Sequence, residues 1–163
     1  MFDVYVGIGS NIDPERHVAL AVAALGARFG ALRCSDVYRS PAFGFTGDDF
    51  LNMVAAFATD ADADAVERTL YDIEYEGGRA RRGARFSART LDLDLLLYGA
   101  LVDPARRVPR DDILHYPFVL APLADLAPDL RHPLTGRTIR AEWELMRARP
   151  VALVRVGPLA RAS

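Results

Sequence analysis

The segment Arg89-Thr90-Leu91-Asp92-Leu93-Asp94-Leu95-Leu96-Leu97 places two carboxylates two residues apart in an otherwise apolar run. On a strand, alternate side chains share a face. Leu91, Leu93, Leu95 and Leu97 then point one way, and Asp92 and Asp94 the other, roughly 7 Å apart at Cα from the strand rise. Adjacent carboxylates repel each other unless a cation lies between them. Mg²⁺ is held by one or two carboxylates together with substrate phosphates. A solvated face of an edge strand is the plainer reading of the same pattern. Just upstream, Arg79, Arg81, Arg82, Arg85 and Arg89 crowd into residues 79–89. Guanidinium forks match phosphate oxygens, so a basic loop beside a carboxylate pair suits a metal–polyphosphate. An RNA-binding loop is the rival reading, but Asp92 and Asp94 repel phosphate unless metal is bound.

Composition narrows the chemistry. All 20 basic residues of the 163 are arginine, and 22 Asp+Glu leave a net charge of −2. Coating of nucleic acid by net charge is not expected. With no lysine, Schiff-base and P-loop-lysine mechanisms are excluded. One cysteine, Cys34, excludes an internal disulfide framework, and it reads as a small buried hydrophobe. His17, His115 and His132 have no ligand spacing. Phe50, Asn52, Phe86 and Phe118 could sandwich a planar heterocycle and read its donor–acceptor edge, although each taken alone suits a core. No signal peptide and no membrane-length apolar run are evident, so a cytoplasmic protein is expected.

The elements that position these groups follow from periodicity. Residues 2–8 predict a strand entering a turn at Gly9-Ser10-Asn11. Asp13-Pro14-Glu15 opens a helix to about Phe29, with Asp13 as N-cap and Gly30 as stop. Residues 31–38 and 50–58 predict strands either side of a loop over 39–49. Asp62 or Asp64 opens a second helix that ends at Gly77-Gly78, and residues 90–98 form the clearest strand. The order is β-α-β-β-α-β, the ferredoxin-like split pattern of an α+β fold. A C-terminal extension adds helical segments over 118–126 and 138–148 and a strand over 151–156. One domain over 1–163 is expected.

Taken together, Val6-Gly7-Ile8-Gly9-Ser10-Asn11, Tyr38-Arg39-Ser40-Pro41, Phe50-Leu51-Asn52, Glu74 with Gly78-Arg79, Arg89 to Asp94, and Phe118 to Leu123 with Ala127-Pro128 resemble one family. The resemblance, over about residues 2–136, is to 6-hydroxymethyl-7,8-dihydropterin pyrophosphokinases of folate biosynthesis. It implies the ferredoxin-like fold and transfer of pyrophosphate from ATP to the pterin hydroxymethyl group, releasing AMP. It implies that Asp92 and Asp94 bind two Mg²⁺, and that Arg79, Arg89 and Arg81 or Arg82 grip phosphate from a closing loop. Phe50 and Phe118 would stack on the pterin, with Asn52, Ser40, Pro41 and Phe43 at its edge. Tyr71, Glu74, Arg89, Leu95, Arg110 and Tyr116 would serve the nucleotide.

The chain also departs from the family pattern. Arg110 stands where the family commonly has His, Tyr116 where it has Arg, and Phe86-Ser87 where it has Trp-Gly. The loop Phe43-Gly44-Phe45-Thr46-Gly47 is short. A paralogue using a related pterin or another donor therefore stays open as an alternative, and so, on the arginine loop, does a non-catalytic RNA-binding ferredoxin-like module. The partners implied are ATP and the pterin, with no nucleic acid, no membrane and a monomeric chain.

Overall fold

The computed structural model describes residues 1–42, 46–77 and 91–160. Six strands, β1 (Phe2–Ser10), β2 (Arg33–Cys34), β3 (Val37–Ser40), β4 (Phe50–Thr59), β5 (Asp92–Tyr98) and β6 (Val154–Gly157), form one sheet. Its order is β5-β1-β4-β3-β6, with β2 paired to β4. The β1–β4, β1–β5, β3–β4 and β3–β6 pairs are all antiparallel. Two helices, α1 (Pro14–Phe29) and α2 (Ala63–Glu76), complete the split β-α-β arrangement, which is the ferredoxin-like order expected from the sequence.

The strands bury both faces. One core joins Val4, Val6 and Ile8 of β1 to Val18, Ala21 and Leu25 of α1 and to Val66, Leu70 and Ile73 of α2. The other joins Tyr5, Val54, Ala56, Leu96 and Leu97 to residues from three further helices. These are α3 (Asp112–His115), α4 (Pro117–Leu126) and α5 (Ile139–Arg147), which contribute Ile113, Leu120, Leu123 and Ile139. The C-terminal extension is therefore a third layer, and β6 closes the sheet beside β3.

Several local expectations change. Residues 31–38 form two short strands, because the Ser35 hydroxyl accepts from Val54 N–H at 2.9 Å while its own N–H bonds the Val54 carbonyl. Cys34 is exposed, on a two-residue β2 that pairs with β4 off the main path of the sheet. Asp13 precedes α1 at φ 43° without a side-chain cap. Instead the His17 ring nitrogen contacts the Ile12 and Asp13 carbonyls at 2.6 and 3.1 Å. Asp62 does cap α2, accepting from Ala65 N–H at 2.8 Å.

Two changes bear on the site. Gly9 and Ser10 belong to β1 rather than a turn. In β5 the register with β1 slips at Leu96, so Leu91, Leu93 and Leu95 face α1 and α2 while Leu97 joins the opposite core. The uniform alternation expected of the four leucines thus ends after Leu95.

Candidate active site

Asp92 and Asp94 sit at the start of β5, opposite in face to the inward Leu91, Leu93 and Leu95. Across the ladder, Asp92 pairs with Gly9 and Asp94 with Gly7. The same glycines pair on their other side with Asn52 and Val54 of β4. Directly opposed residues in an antiparallel pair share a face. A strip of sheet without side chains therefore separates the carboxylates from Asn52. A Cβ on Gly9 would meet the Asn52 Oδ1 at 3.3 Å, and one on Gly7 the Leu96 side chain at 3.5 Å. These glycines provide close approach over a flat floor rather than a turn conformation.

Asn52 and Ser40 form the far wall. The Asn52 amide donates to the Ser40 hydroxyl at 2.8 Å in a buried pair. Phe50 lies opposite Ser40 and is only half-buried. Phe118, at the N-terminal turn of α4, is also half-buried, and Tyr116 stacks on it with ring centroids 5.1 Å apart and planes 18° from parallel. The Tyr38 hydroxyl donates to Asp125 of α4 at 2.6 Å and ties β3 to that helix. Burial and this hydrogen bond push the Tyr38 hydroxyl well above its ordinary value, so it remains a neutral donor.

Around the free edge of β5 runs a groove of about 180 Å³, lined by Glu67, Leu70, Tyr71, Glu74, Leu93, Asp94, Leu95, Arg106 and Arg110. Glu74 is buried, and its carboxylate accepts from the outward Leu93 N–H at 2.7 Å, between the two aspartates. Arg110 reaches Asp94 Oδ1 at 3.2 Å and Asp112 Oδ2 at 3.3 Å. Arg106, at the other end of the groove, is held by Asp64, Glu67 and Asp103. Burial first, and the neighbouring Asp92 second, push the Asp94 carboxyl up to about 7; Arg110 opposes both.

The groove collects Tyr71, Glu74, Leu95 and Arg110 of the residues expected at a nucleotide, and Asp94 forms its inner end. Tyr116 does not line it but packs on Phe118. Ser40, Pro41, Phe50 and Asn52 lie together at the adjoining ends of β3 and β4. Phe43, Arg79, Arg81, Arg82, Arg85, Phe86 and Arg89 fall outside the described residues. Glu67 and Arg106, which line the groove, and Asp112, which pairs with Arg110, are not indicated by any local sequence signal. The turn expected at Gly9 is instead strand, and Gly7, quoted only within the family motif, shares its role as bare floor. Their recurrence at a spacing of two, matching Asp92 and Asp94, was the available clue.

The donors suit a hard divalent cation. Asp92 and Asp94 offer only oxygen donors, the kind a hard cation prefers. Among the described residues no group of three or more His, Cys, Asp or Glu side chains could hold a metal alone. A divalent cation held by this carboxylate pair would be suited to sharing its coordination with substrate phosphate oxygens and water.

Residues 5–128 match the sequence profile of the 7,8-dihydro-6-hydroxymethylpterin-pyrophosphokinase (HPPK) family. The chain belongs to this family. It is 43% identical over 138 residues to the 2-amino-4-hydroxy-6-hydroxymethyldihydropteridine pyrophosphokinase of Pseudomonas aeruginosa, covering 80% of this chain and 83% of that one. The enzyme of the same name from Synechocystis sp. is 40% identical over 139 residues, covering 82% of this chain and 71% of the other. The fold matches the HPPK-DHPS of Plasmodium falciparum solved with pteroate, at a TM-score of 0.71 and 10% identity over 91% of this chain. This chain covers 45% of that longer chain. The protein is accordingly an enzyme, a pyrophosphokinase of folate biosynthesis.

Proposed function

We propose that this chain transfers pyrophosphate from ATP to the hydroxymethyl group of 6-hydroxymethyl-7,8-dihydropterin, with two Mg²⁺ at Asp92 and Asp94. One observation carries the reading. Asp92, Gly9 and Asn52 lie on a single rung of the sheet, so a carboxylate pair and a heterocycle-reading amide face the same bare floor.

The pterin fits between Phe50 and Phe118. Tyr116 covers one side of Phe118, which fixes the ring and leaves its other side for stacking. The Asn52–Ser40 pair holds the amide ready for the pterin edge, with Pro41 and Phe43 beside it. ATP is the family's co-substrate. Its purine is assigned to the groove beside Tyr71 and Leu95, and its phosphates run toward Asp94. Magnesium, when bound, neutralises charge on the bridging and equatorial phosphate oxygens. Glu74 fixes the β5 backbone between the two carboxylates through the Leu93 N–H. Arg79, Arg81, Arg82 and Arg89 are assigned to the phosphate oxygens, as the family resemblance implies.

The reaction forms a bond from the pterin hydroxyl oxygen to the β-phosphorus and breaks that phosphorus's bond to the α-phosphate oxygen, so AMP leaves. Little proton abstraction is needed before a loose transition state, and the hydroxyl proton passes to solvent. Alignment of the two substrates by sheet and groove supplies much of the rate. The chain is proposed to act as a monomer on these small molecules. No observation favours an altered donor or an RNA-binding role. AMP release from ATP and hydroxymethyl-dihydropterin tests the proposal. Activity should require Mg²⁺ and vanish in Asp92→Ala; near-wild-type turnover of that variant overturns the metal assignment.

A further inference from the structure

Arg110 is the one groove-lining cation that touches a proposed metal ligand among the described residues. Its guanidinium lies between Asp94 and Asp112, with side chains only 20%, 29% and 24% exposed for Arg110, Asp94 and Asp112. At 3.2 and 3.3 Å both contacts are longer than charge-assisted N–H···O bonds usually are, about 2.7–2.9 Å. Arg106, four residues earlier, differs in being tied to three carboxylates that lie away from Asp92 and Asp94. Arg110 also projects into the space assigned to the nucleotide, and its backbone N–H is fixed to the Leu96 carbonyl at 2.9 Å. Its Cα therefore stays in place while its side chain can turn.

From this geometry, and resting on the functional reading above, we infer that Arg110 is a displaceable counter-ion that shares Asp94 with the divalent metal. It holds Asp94 until a metal–nucleotide complex arrives, and it then turns about its Asp112 contact to bind a phosphate. A guanidinium and a dication on one carboxylate repel each other strongly in a half-buried site. Bare metal is therefore disfavoured, whereas metal carried on a nucleotide brings the phosphate oxygens that accept Arg110. Arg110 is thus a residue that makes the site select the metal–nucleotide complex over the free cation. Histidine, common at this position in the family, has a shorter reach and a charge that depends on pH.

Mn²⁺ binding read by electron paramagnetic resonance tests this without turnover. Wild type, Arg110→Gln and Arg107→Gln are compared with Mn²⁺ alone and with Mn²⁺ plus α,β-methylene-ATP, which cannot release AMP. Arg107 is the control, because it pairs with Asp111 and Asp112 but not with Asp94. Arg110→Gln should bind Mn²⁺ alone about tenfold tighter or better. The same variant should bind the Mn²⁺–analogue complex more weakly than wild type. Arg107→Gln should match wild type in both titrations. Unchanged or weaker binding of bare Mn²⁺ by Arg110→Gln overturns the inference, as does tighter binding of the analogue complex. An equal effect in Arg107→Gln also overturns it, since net charge alone would then suffice. Far-UV circular dichroism confirms that each variant is folded, and Arg110→Lys provides a second variant that retains the charge but loses the fork. If Asp92→Ala and wild type bind Mn²⁺–analogue equally well, the metal assignment itself fails, and that outcome is separate from the behaviour of Arg110.

Discussion

Replacing Asp94 by Asn should make the protein a dead enzyme and, without metal at alkaline pH, a more stable one. The Asp94 carboxyl is raised from 3.8 to about 7 by burial and by Asp92. The unfolded chain releases this proton near pH 4 and the folded chain near 7. Between those values the unfolded state binds fewer protons, so stability falls as pH rises. Three units at about 1.36 kcal/mol each give an upper bound of about 4 kcal/mol. With 29% of the side chain exposed, solvent screens part of this, and about 2 kcal/mol is a working value. Asn stays neutral throughout, and because the net shift of Asp94 already includes the opposing pull of Arg110, no separate ion-pair cost is subtracted. At pH 8 the variant should therefore be about 2 kcal/mol more stable than wild type, or about 4–8 °C in Tm for a chain of this size. At pH 4, where the folded-state Asp94 is itself neutral, the two proteins should be close in stability. Thermal melts of both proteins in EDTA at the two pH values measure the difference and cancel the titrating groups that do not interact with Asp94. Adding Mg²⁺ with α,β-methylene-ATP should raise the wild-type Tm and leave Asp94→Asn unmoved. A variant less stable than wild type by the same amount at both pH values would refute the reasoning, because Asp94 would then be stabilised by Arg110 rather than strained by Asp92 and burial.

Other perturbations separate the parts of the site. Gly9→Ala places a Cβ 3.3 Å from the Asn52 amide oxygen, so the pterin KM should rise several-fold while the protein stays folded, as steady-state kinetics with varied pterin will show. Arg89→Ala should lower turnover far more than Arg85→Ala; equal small effects in the AMP-release assay would mark residues 79–89 as a solvated charge run. Asp62→Ala removes the α2 cap and should cost about 1 kcal/mol in urea unfolding with turnover unaffected.

What the sequence could reveal follows the range over which each signal acts. The strands, the two crossover helices and the Asp92–Asp94 pair were legible because alternation and helical spacing act over a few residues. Leu97 was misplaced because the bulge at Leu96 arises from pairing with Tyr5 and Val6, more than 80 positions earlier. The expectation of a buried Cys34 fails for a different reason: it rests on residue type alone, and a cysteine's apolar character does not fix whether its strand is covered. The contact between Arg110 and Asp94 joins a loop to a strand that the apolar pattern does not link. Glu74 was singled out by family resemblance, yet its role as acceptor for the Leu93 N–H became visible only when α2 was laid beside β5.

The rung through Asp92, Gly9 and Asn52 has a metrical consequence. Two interstrand spacings, roughly 10 Å, separate Asp92, proposed to anchor the phosphate end, from Asn52, proposed to read the far edge of the acceptor. Hydrogen-bonded backbone, not rotamer choice, sets that interval, so the sheet serves as a gauge block for the reaction. Its length admits the acceptor plus an approach of about 3–3.5 Å between hydroxyl and phosphorus. Side chains along the groove can drift in evolution and still leave the gauge intact. A change in the pairing of β1 with either neighbour would misset it for every substrate at once.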